Sequence, residues 1–442
     1  MPITLNVQTI NTCDNTTGVT STSGLTASTI AIETNRKEGT GSIDLESTGT
    51  GLRGATFTIS PAIDLRTTEI SCWFFNPGFS DDGARILGDV DSDLRLRVYN
   101  GGGTSANYAE FDQSQLKFFD GQATRYPTLW SILRCSGDAG QETRTNGTWT
   151  TTQASSVDAV AVIFGQTADS AAGFLGQDTP FLIDFVKAAD KIIVTGDNSG
   201  TPWTFQDIYN ADQTNAWGLV QKRENFYTFF CGLEFGDGTT GSFADENVSV
   251  FFDHSSKDHA YDITIKNNFT VTLGEKNIGT SDTYAQDGVI IRASENGIFD
   301  STSTKVAPAF TVESGGILQA YATTIAGYGT VNLGSGGSGV IELVGVDLYD
   351  NNAVEFRSTG LTADNIRVHQ LSTDKGDLGT IFNVPVSMSR IQVFNSNDAL
   401  EFRESFSVNQ YIASDNTFDV VILEGEEMVL QNSSFNTIKR TT

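Results

Sequence analysis

Histidine, cysteine and methionine are scarce, at 3, 4 and 3 in a chain of 442 residues. Two of the histidines, His254 and His259, lie in the polar phrase DHSSKDH, and the third, His369, stands alone. A gap of five suits neither a helical zinc pair nor one face of a strand, and no Ser-His-Asp constellation can be assembled. Cys13, Cys72, Cys135 and Cys231 are far apart with no CxxC, so they are expected to be free, buried thiols. No run of about 18 apolar residues is present, which excludes a spanning helix. The start, MPITLNVQTI, has neither a basic region nor an apolar core, so no secretory leader is expected. Basic residues are in deficit, 27 against 54 acidic ones, for a formal charge of −27. Such a surface repels phosphate backbones, so nucleic acid is not an expected partner. The glycine-rich GSGGSG (334–339) has no following Lys-Ser/Thr and opens no helix, so it reads as a turn and not a phosphate loop.

What is abundant is Gly (44 residues), with Ser, Thr and β-branched residues between them. A short phrase recurs: AVEFR follows Asn352 and ALEFR follows Asp398. Related phrases follow Asp287 (GVIIR), Pro308 (AFTVE), Thr330 (VNLG) and Asp419 (VVILE). The steps are 21, 22, 22, 46 and 21 residues, and the double step leaves room for a turn at GTIFNVP (379–385). A second strand keeps the beat, with Ile325, Val346, Ile366, Ile391 and Phe435 in comparable slots. NFYTFF, NVSVFF and NFTVTL extend the series upstream. Short strands returning every 22 or so residues predict a parallel β-helix over 191–442, each coil stacked on the last. Alternation puts Val354, Phe356, Leu400 and Phe402 inside and Glu355, Arg357, Glu401 and Arg403 outside. The segment 200–225 breaks the beat and is expected to hold a short helix and to cap the entry coil. The pattern continues into SSFNTIKRTT, which predicts a last coil covered by another copy about a three-fold axis.

Residues 1–190 lack the period. TIAIE, SIDLES, ATFTIS, TEISCWFF, LRLRVYN, LKFFD, PTLWSILRC, AVAVIFG and FLIDFVKAAD alternate and are spaced as in an antiparallel sandwich. The fold class is therefore all-β: an N-terminal antiparallel jelly-roll sandwich, then a parallel β-helix.

Candidate chemistry is sparse. Glu342, Glu355 and Glu401 face outward in this scheme, and a glycosidase needs two carboxylates about 5–9.5 Å apart. Glu355 and Glu401 are two coils apart, about 9.6 Å, each with an Arg beside it, which is the pattern of a salt-bridged ladder. Tyr321, Tyr328 and Tyr349 could stack on a sugar or plug a turn. SDDGARILGDVDSD (80–93) carries Asp89, Asp91 and Asp93, the one cluster that could hold Ca²⁺, though it lacks the EF-hand spacing.

WSILRCSGDAGQETRTNGTW (130–149), FLIDFVKAAD and EISCWFF resemble the hairpin, closing strand and central strand of concanavalin-like and laminin-G-like jelly rolls. That resemblance implies carbohydrate or protein binding, sometimes with Ca²⁺; the metal ligands of the legume lectins do not transfer, because residues 10–190 contain no His. A jelly roll followed by a β-helix in an acidic chain without a leader resembles tailed-bacteriophage virion proteins: tail fibres, tailspikes and head-decoration proteins. The resemblance implies a homotrimer made in the host cytoplasm, displayed on the virion surface, contacting capsid or tail proteins and host-surface glycans. A non-enzymatic structural protein is the expected function. A tailspike depolymerase working through a carboxylate pair, and a surface adhesin or polysaccharide lyase, are the alternatives.

Overall fold

The computed structural model describes residues 3–25, 29–46, 52–76, 92–104, 106–112, 129–137, 139–140, 142–166, 182–253, 261–275, 288–293, 308–334, 339–349, 351, 353–369, 380–394, 400–414, 420–423, 428–430 and 438–441. These residues are all-β apart from two short helices, Thr151–Ala154 and Phe205–Thr214. They form two compact units, one built on Val7–Asp190 and the other on Lys191–Ser255 with Ala260–Thr442.

The first unit is a sandwich of two antiparallel sheets. One has the order Thr29–Glu33, Ser42–Glu46, residues 182–189, Glu69–Asn76, Leu129–Cys135. The other runs Arg144–Asn146, Tyr108–Asp112, Ser92–Tyr99, Val157–Gln166, Arg53–Ile63, Val19–Ser21. Alternation explains the packing. Ala55 and Phe57 face Val162 and Val160, which face Leu96 and Val98, and all are buried between the sheets with Cys72, Phe74 and Leu133 from the facing sheet. Val157–Gln166 is apolar on both faces because it is central: Ala159, Ala161 and Ile163 form a second small cluster on the far side with Tyr99. The expected hairpin over 130–149 is not there. Leu129–Cys135 pairs with Glu69–Asn76 in one sheet, and Arg144–Asn146 pairs with Tyr108–Asp112 in the other. Both segments alternate, and alternation does not say which sheet a strand joins. LKFFD (116–120) lies outside the described residues.

The second unit contains three ladders of parallel strands. The chain visits them in rotation: Gly232–Phe235, Gly241–Asp245 and Ser249–Phe252, then Ile263–Ile265, Phe269–Leu273 and Ile290–Ala293, and so on to Ala353–Phe356, Gly360–Asp364 and Ile366–His369. From Thr380 each cycle has two strands among the described residues, the second of them the nine-residue Val386–Phe394 and then Phe406–Ser414. Buried residues stack in register along the first ladder, as in Phe235, Ile265, Val312, Leu333, Phe356 and Phe382. Phe356 and Phe382 are stacked at 4.3 Å between ring centroids, inclined by 4°.

This register corrects the reading of the repeat. Ile290–Ala293, from the GVIIR phrase, belongs to the third ladder, not with AFTVE and VNLG in the first. Phe226–Phe229 and Ser249–Phe252 are also third-ladder strands, whereas Phe269–Leu273 is in the second. Ile325 sits opposite Leu348, two residues on from Val346, while Ile366 does meet Ile391; Phe435 lies outside the described residues. The physical reason is that each ladder demands the same in–out alternation, so phrases from different ladders look alike. Thr380–Phe382 does lie between Ala353–Phe356 and Leu400–Phe402, at GTIFNVP.

The helix Phe205–Thr214 starts at Thr204, whose hydroxyl accepts from the Asp207 amide while Asp207 accepts from the Thr204 amide. Phe205 packs edge-on against Phe243 at 4.8 Å and against Phe229 at 6.0 Å, at the start of the second and third ladders. At the far end the buried Asp212 carboxylate accepts from the Leu219 and Val220 amides at 2.7 and 3.2 Å, fixing the turn back into strand. None of the four cysteines is in a disulfide and all are buried; burial pushes the Cys72 thiol up to about 12, which makes it inert.

Candidate functional site

The strand EISCWFFN alternates so that Cys72 and Phe74 enter the sandwich core and Trp73 and Phe75 face away from it. The neighbouring strand places Ile132 opposite Trp73 and Trp130 opposite Phe75. Trp73, Phe75 and Trp130 are half-buried, and Phe75 meets Trp130 edge-on at 5.4 Å. Three large aromatic rings thus share one outer face with part of each ring open to solvent, which is the arrangement that binds apolar faces of small ligands by stacking.

Polar groups frame the platform. The register shifts between Asp184 and Lys187, and Phe185 takes φ 45°. This bulge puts both Asp184, opposite Trp73, and Lys187, opposite Ser71, on the platform's face. The Asp184 carboxylate accepts from the backbone amides of Lys37 and Glu38 at 2.7 and 2.8 Å. That anchors the connection between Thr29–Glu33 and Ser42–Glu46 and brings the Lys37 ammonium to 4.6 Å from the Trp73 ring centroid. Burial pushes Asp184 up to about 6, Glu38 adds to the rise, and the amides of Glu38, Lys37 and Phe185 oppose it. Glu38 is raised by burial and by Asp14, with Lys187 opposing. Asp14 is lowered, chiefly by the Thr40 amide. On the platform's other flank Arg134 Nε lies 3.4 Å from Glu69 Oε1.

The outer face of the second sheet is different. Glu110 is shared by Arg95 at 2.6 Å and Arg97 at 2.6 Å, with Arg144 at 3.8 Å, and the Arg97 guanidinium lies 4.1 Å from the Tyr108 ring. Side-chain exposure is 8%, 7% and 2% for Arg95, Arg97 and Glu110. Arg95, Arg97 and Glu110 are thus sealed within the sheet and hold it together, and only Arg144 at the rim is exposed.

The residues singled out from sequence do not assemble into one site. Glu355 and Glu401 are in one ladder with Ile381 between them, and Glu342 is in another; the Glu401 side chain lies outside the described residues. Glu355 is held by Arg357 and by Asn383 Nδ2 at 2.7 Å, and Asn383 Oδ1 accepts from Arg403 at 3.3 Å. The repeated Glu-Phe-Arg therefore knits successive strands. Glu342 accepts from the Tyr321 hydroxyl at 2.8 Å and from Gln319 at 3.3 Å. Tyr321 is 4% exposed and Tyr328 fully buried, both with hydroxyls raised first of all by burial, so neither ring offers a face to a ligand. Tyr349 is half-buried, 5.9 Å from the Arg292 guanidinium. Asp89 and Asp91 lie outside the described residues; Asp93 is in strand Ser92–Tyr99, its side chain likewise outside. His254, His259 and the His369 side chain are outside too. Among the described residues no three His, Cys, Asp or Glu side chains converge on a metal position, and no helix is long and apolar enough to cross a membrane.

Trp73, Phe75 and Trp130 escaped the sequence reading, although the signal was there. In CWFF three consecutive residues, Trp73, Phe74 and Phe75, are aromatic, so whichever face is the core the strand has to present an aromatic on the other.

No family model matches the chain, and no curated protein matches it. Among solved structures, a family 11 carbohydrate-binding module from Clostridium thermocellum, in complex with a beta-1,3-1,4-mixed-linked tetrasaccharide, is similar at 10% identity and a TM-score of 0.27. The match covers 42% of this chain and 96% of that one. A CBM22-1 xylan-binding domain from Paenibacillus barcinonensis is similar at 13% identity and a TM-score of 0.22, over 42% of this chain and 94% of that one. At these TM-scores neither likeness bears on the fold or the ligand.

Proposed function

We propose that the chain is a non-enzymatic structural protein that binds glycans through the Trp73–Phe75–Trp130 platform. The observation that supports this is three half-exposed aromatic rings on one rigid sheet face, framed by the Lys37 ammonium. Sugars offer apolar C–H faces and hydroxyls, and a platform of this kind meets both needs. The rotation of the chain through three in-register ladders supports reading residues 191–442 as a parallel β-helix, a rigid stalk, with Phe205–Thr214 as its entry cap. The sandwich is then a jelly roll of the lectin-like kind. The setting we propose is the surface of a tailed-phage particle, as a homotrimeric protrusion from head or tail, following the resemblance to such virion proteins. A depolymerase is disfavoured by the neutralised Glu355 and by the separation of Glu342 from it.

Binding to an array of bacterial surface polysaccharides and plant β-glucans tests the glycan reading. Trp73→Ala and Trp130→Ala are each expected to weaken binding about tenfold, the effect of losing one well-packed aromatic contact. Binding unchanged in both variants removes the platform from the function. For the setting, gold-labelled antibody to the chain should decorate intact virions, and sedimentation should give three times the 47.5 kDa chain mass. A stable monomer sinks the trimer.

A further inference from the structure

We propose that residues 34–41 form a pH-operated cover for the aromatic platform: charged Asp184 anchors the segment and holds Lys37 over Trp73, and protonation of Asp184 frees the segment and bares the ring. The proposal rests on the platform being the glycan site and adds its regulation. The mechanical link is short. One buried carboxylate oxygen takes both the Lys37 and the Glu38 amide, and the side chain of the first of these covers the ring that stands opposite Asp184 in the sheet. Hydrogen bonds to a carboxylate are roughly twice as strong as those to a neutral acceptor, so a proton on Asp184 weakens both anchors together.

The surroundings set the sense of the response. On the segment itself, Glu38 faces Asp184 and raises it, while Arg36 is turned aside to the Gly39 and Thr34 carbonyls. Beneath the segment, Cys13 is coupled to Asp184, and Asp14 accepts from Thr40 and Gly41. On its own strand lie Lys187, whose ammonium is 4.9 Å from the Phe185 ring, and Asp190. From the neighbouring strands come Cys72 and Glu69 on one side, the latter with Arg134, and Asp44 opposite Leu182 on the other. Burial and the Glu38 charge favour the protonated form, which brings the transition to about 6. Glu38 is itself raised by burial and by Asp14, with Lys187 opposing, and a proton on Glu38 would relieve part of its push on Asp184, so the release is carried by Asp184 and not by Glu38. Asp14 is lowered and keeps the far end of the segment tethered at Thr40, so the segment hinges and does not detach.

Acrylamide quenching of Trp73 fluorescence, taken as the difference between the wild-type chain and Trp73→Phe, reads the cover without any glycan. The quenching constant is expected to roughly double between about pH 7.5 and about pH 5, as the second ring face opens, with its midpoint near 6. Asp184→Asn should show the high value at both pH values, and so should the surface variant Lys37→Ala, whose thermal melt serves as the folding control. A flat wild-type profile, an inflection that survives in Asp184→Asn, or a Lys37→Ala chain that keeps the low value at neutral pH each overturns the cover. If quenching behaves as expected but no glycan binds at either pH, the cover stands and the glycan reading falls.

Discussion

Glu110→Ala is expected to destabilise the sandwich by about 3–5 kcal/mol, the cost of leaving buried charges uncompensated. Glu110 is 2% exposed and is the carboxylate shared by the guanidiniums of Arg95 and Arg97. Water cannot replace it there, and Tyr99 and Tyr108 above the network offer only ring faces and one hydroxyl. Urea unfolding of the full chain, with hydrogen exchange at the amides of Ser92–Tyr99, measures the loss. The triple change Arg95→Met, Arg97→Met and Glu110→Leu should recover much of it, because both buried guanidiniums go together with the carboxylate they share. A single change that costs under about 1 kcal/mol would mean that the cluster is solvated, as surface pairs are. The sealed cluster would then be a second open face and a competitor to the aromatic platform.

Phe356→Ala is expected to cost about 3–5 kcal/mol in the ladder unit, the range for deleting a fully buried aromatic ring. Phe356 has no exposure and lies flat on Phe382 at 4.3 Å, so truncation opens a void in the apolar column between consecutive strands. The loss should be local. Stacked repeats contact mainly their neighbours, so exchange protection should fall at 353–356 and 380–382 and hold at Gly232–Phe235. Uniform loss across the unit would show that the ladders unfold as one block. The matching change at Phe402 tests the same slot one strand further on, where the register continues through Phe382 to Phe402.

The inward placement of Phe356 followed from a phrase of five letters, since alternation in a short strand leaves only two faces. What the phrase could not say was which ladder it belonged to. GVIIR and AVEFR obey the same in–out rule, yet Ile290–Ala293 and Ala353–Phe356 lie in different ladders. The spacing between successive strands of a ladder was equally hidden. Phe356 to Phe382 spans 26 residues and Phe382 to Phe402 spans 20, so an even spacing averages over turns of different size. Turn length is nearly free energetically when the strands it joins are fixed by stacking.

The sites show the same division. Composition and charge determined that this is an acidic, β-rich chain with free thiols, because those properties sum over residues and need no partner. Alternation determined which side chains of each strand are candidates for the core. Only the tertiary structure decided that Trp73, Phe75 and Trp130 meet on one face, that a bulge at Phe185 turns Asp184 and Lys187 to that face, and that the Lys37 amide reaches Asp184 across 147 positions of sequence. It also decided that Tyr328 is sealed inside and that Glu355 is tied to Asn383, just past the next strand of its ladder. Contacts between strands distant in the chain depend on register and sheet order, and both are set by packing that no single segment encodes.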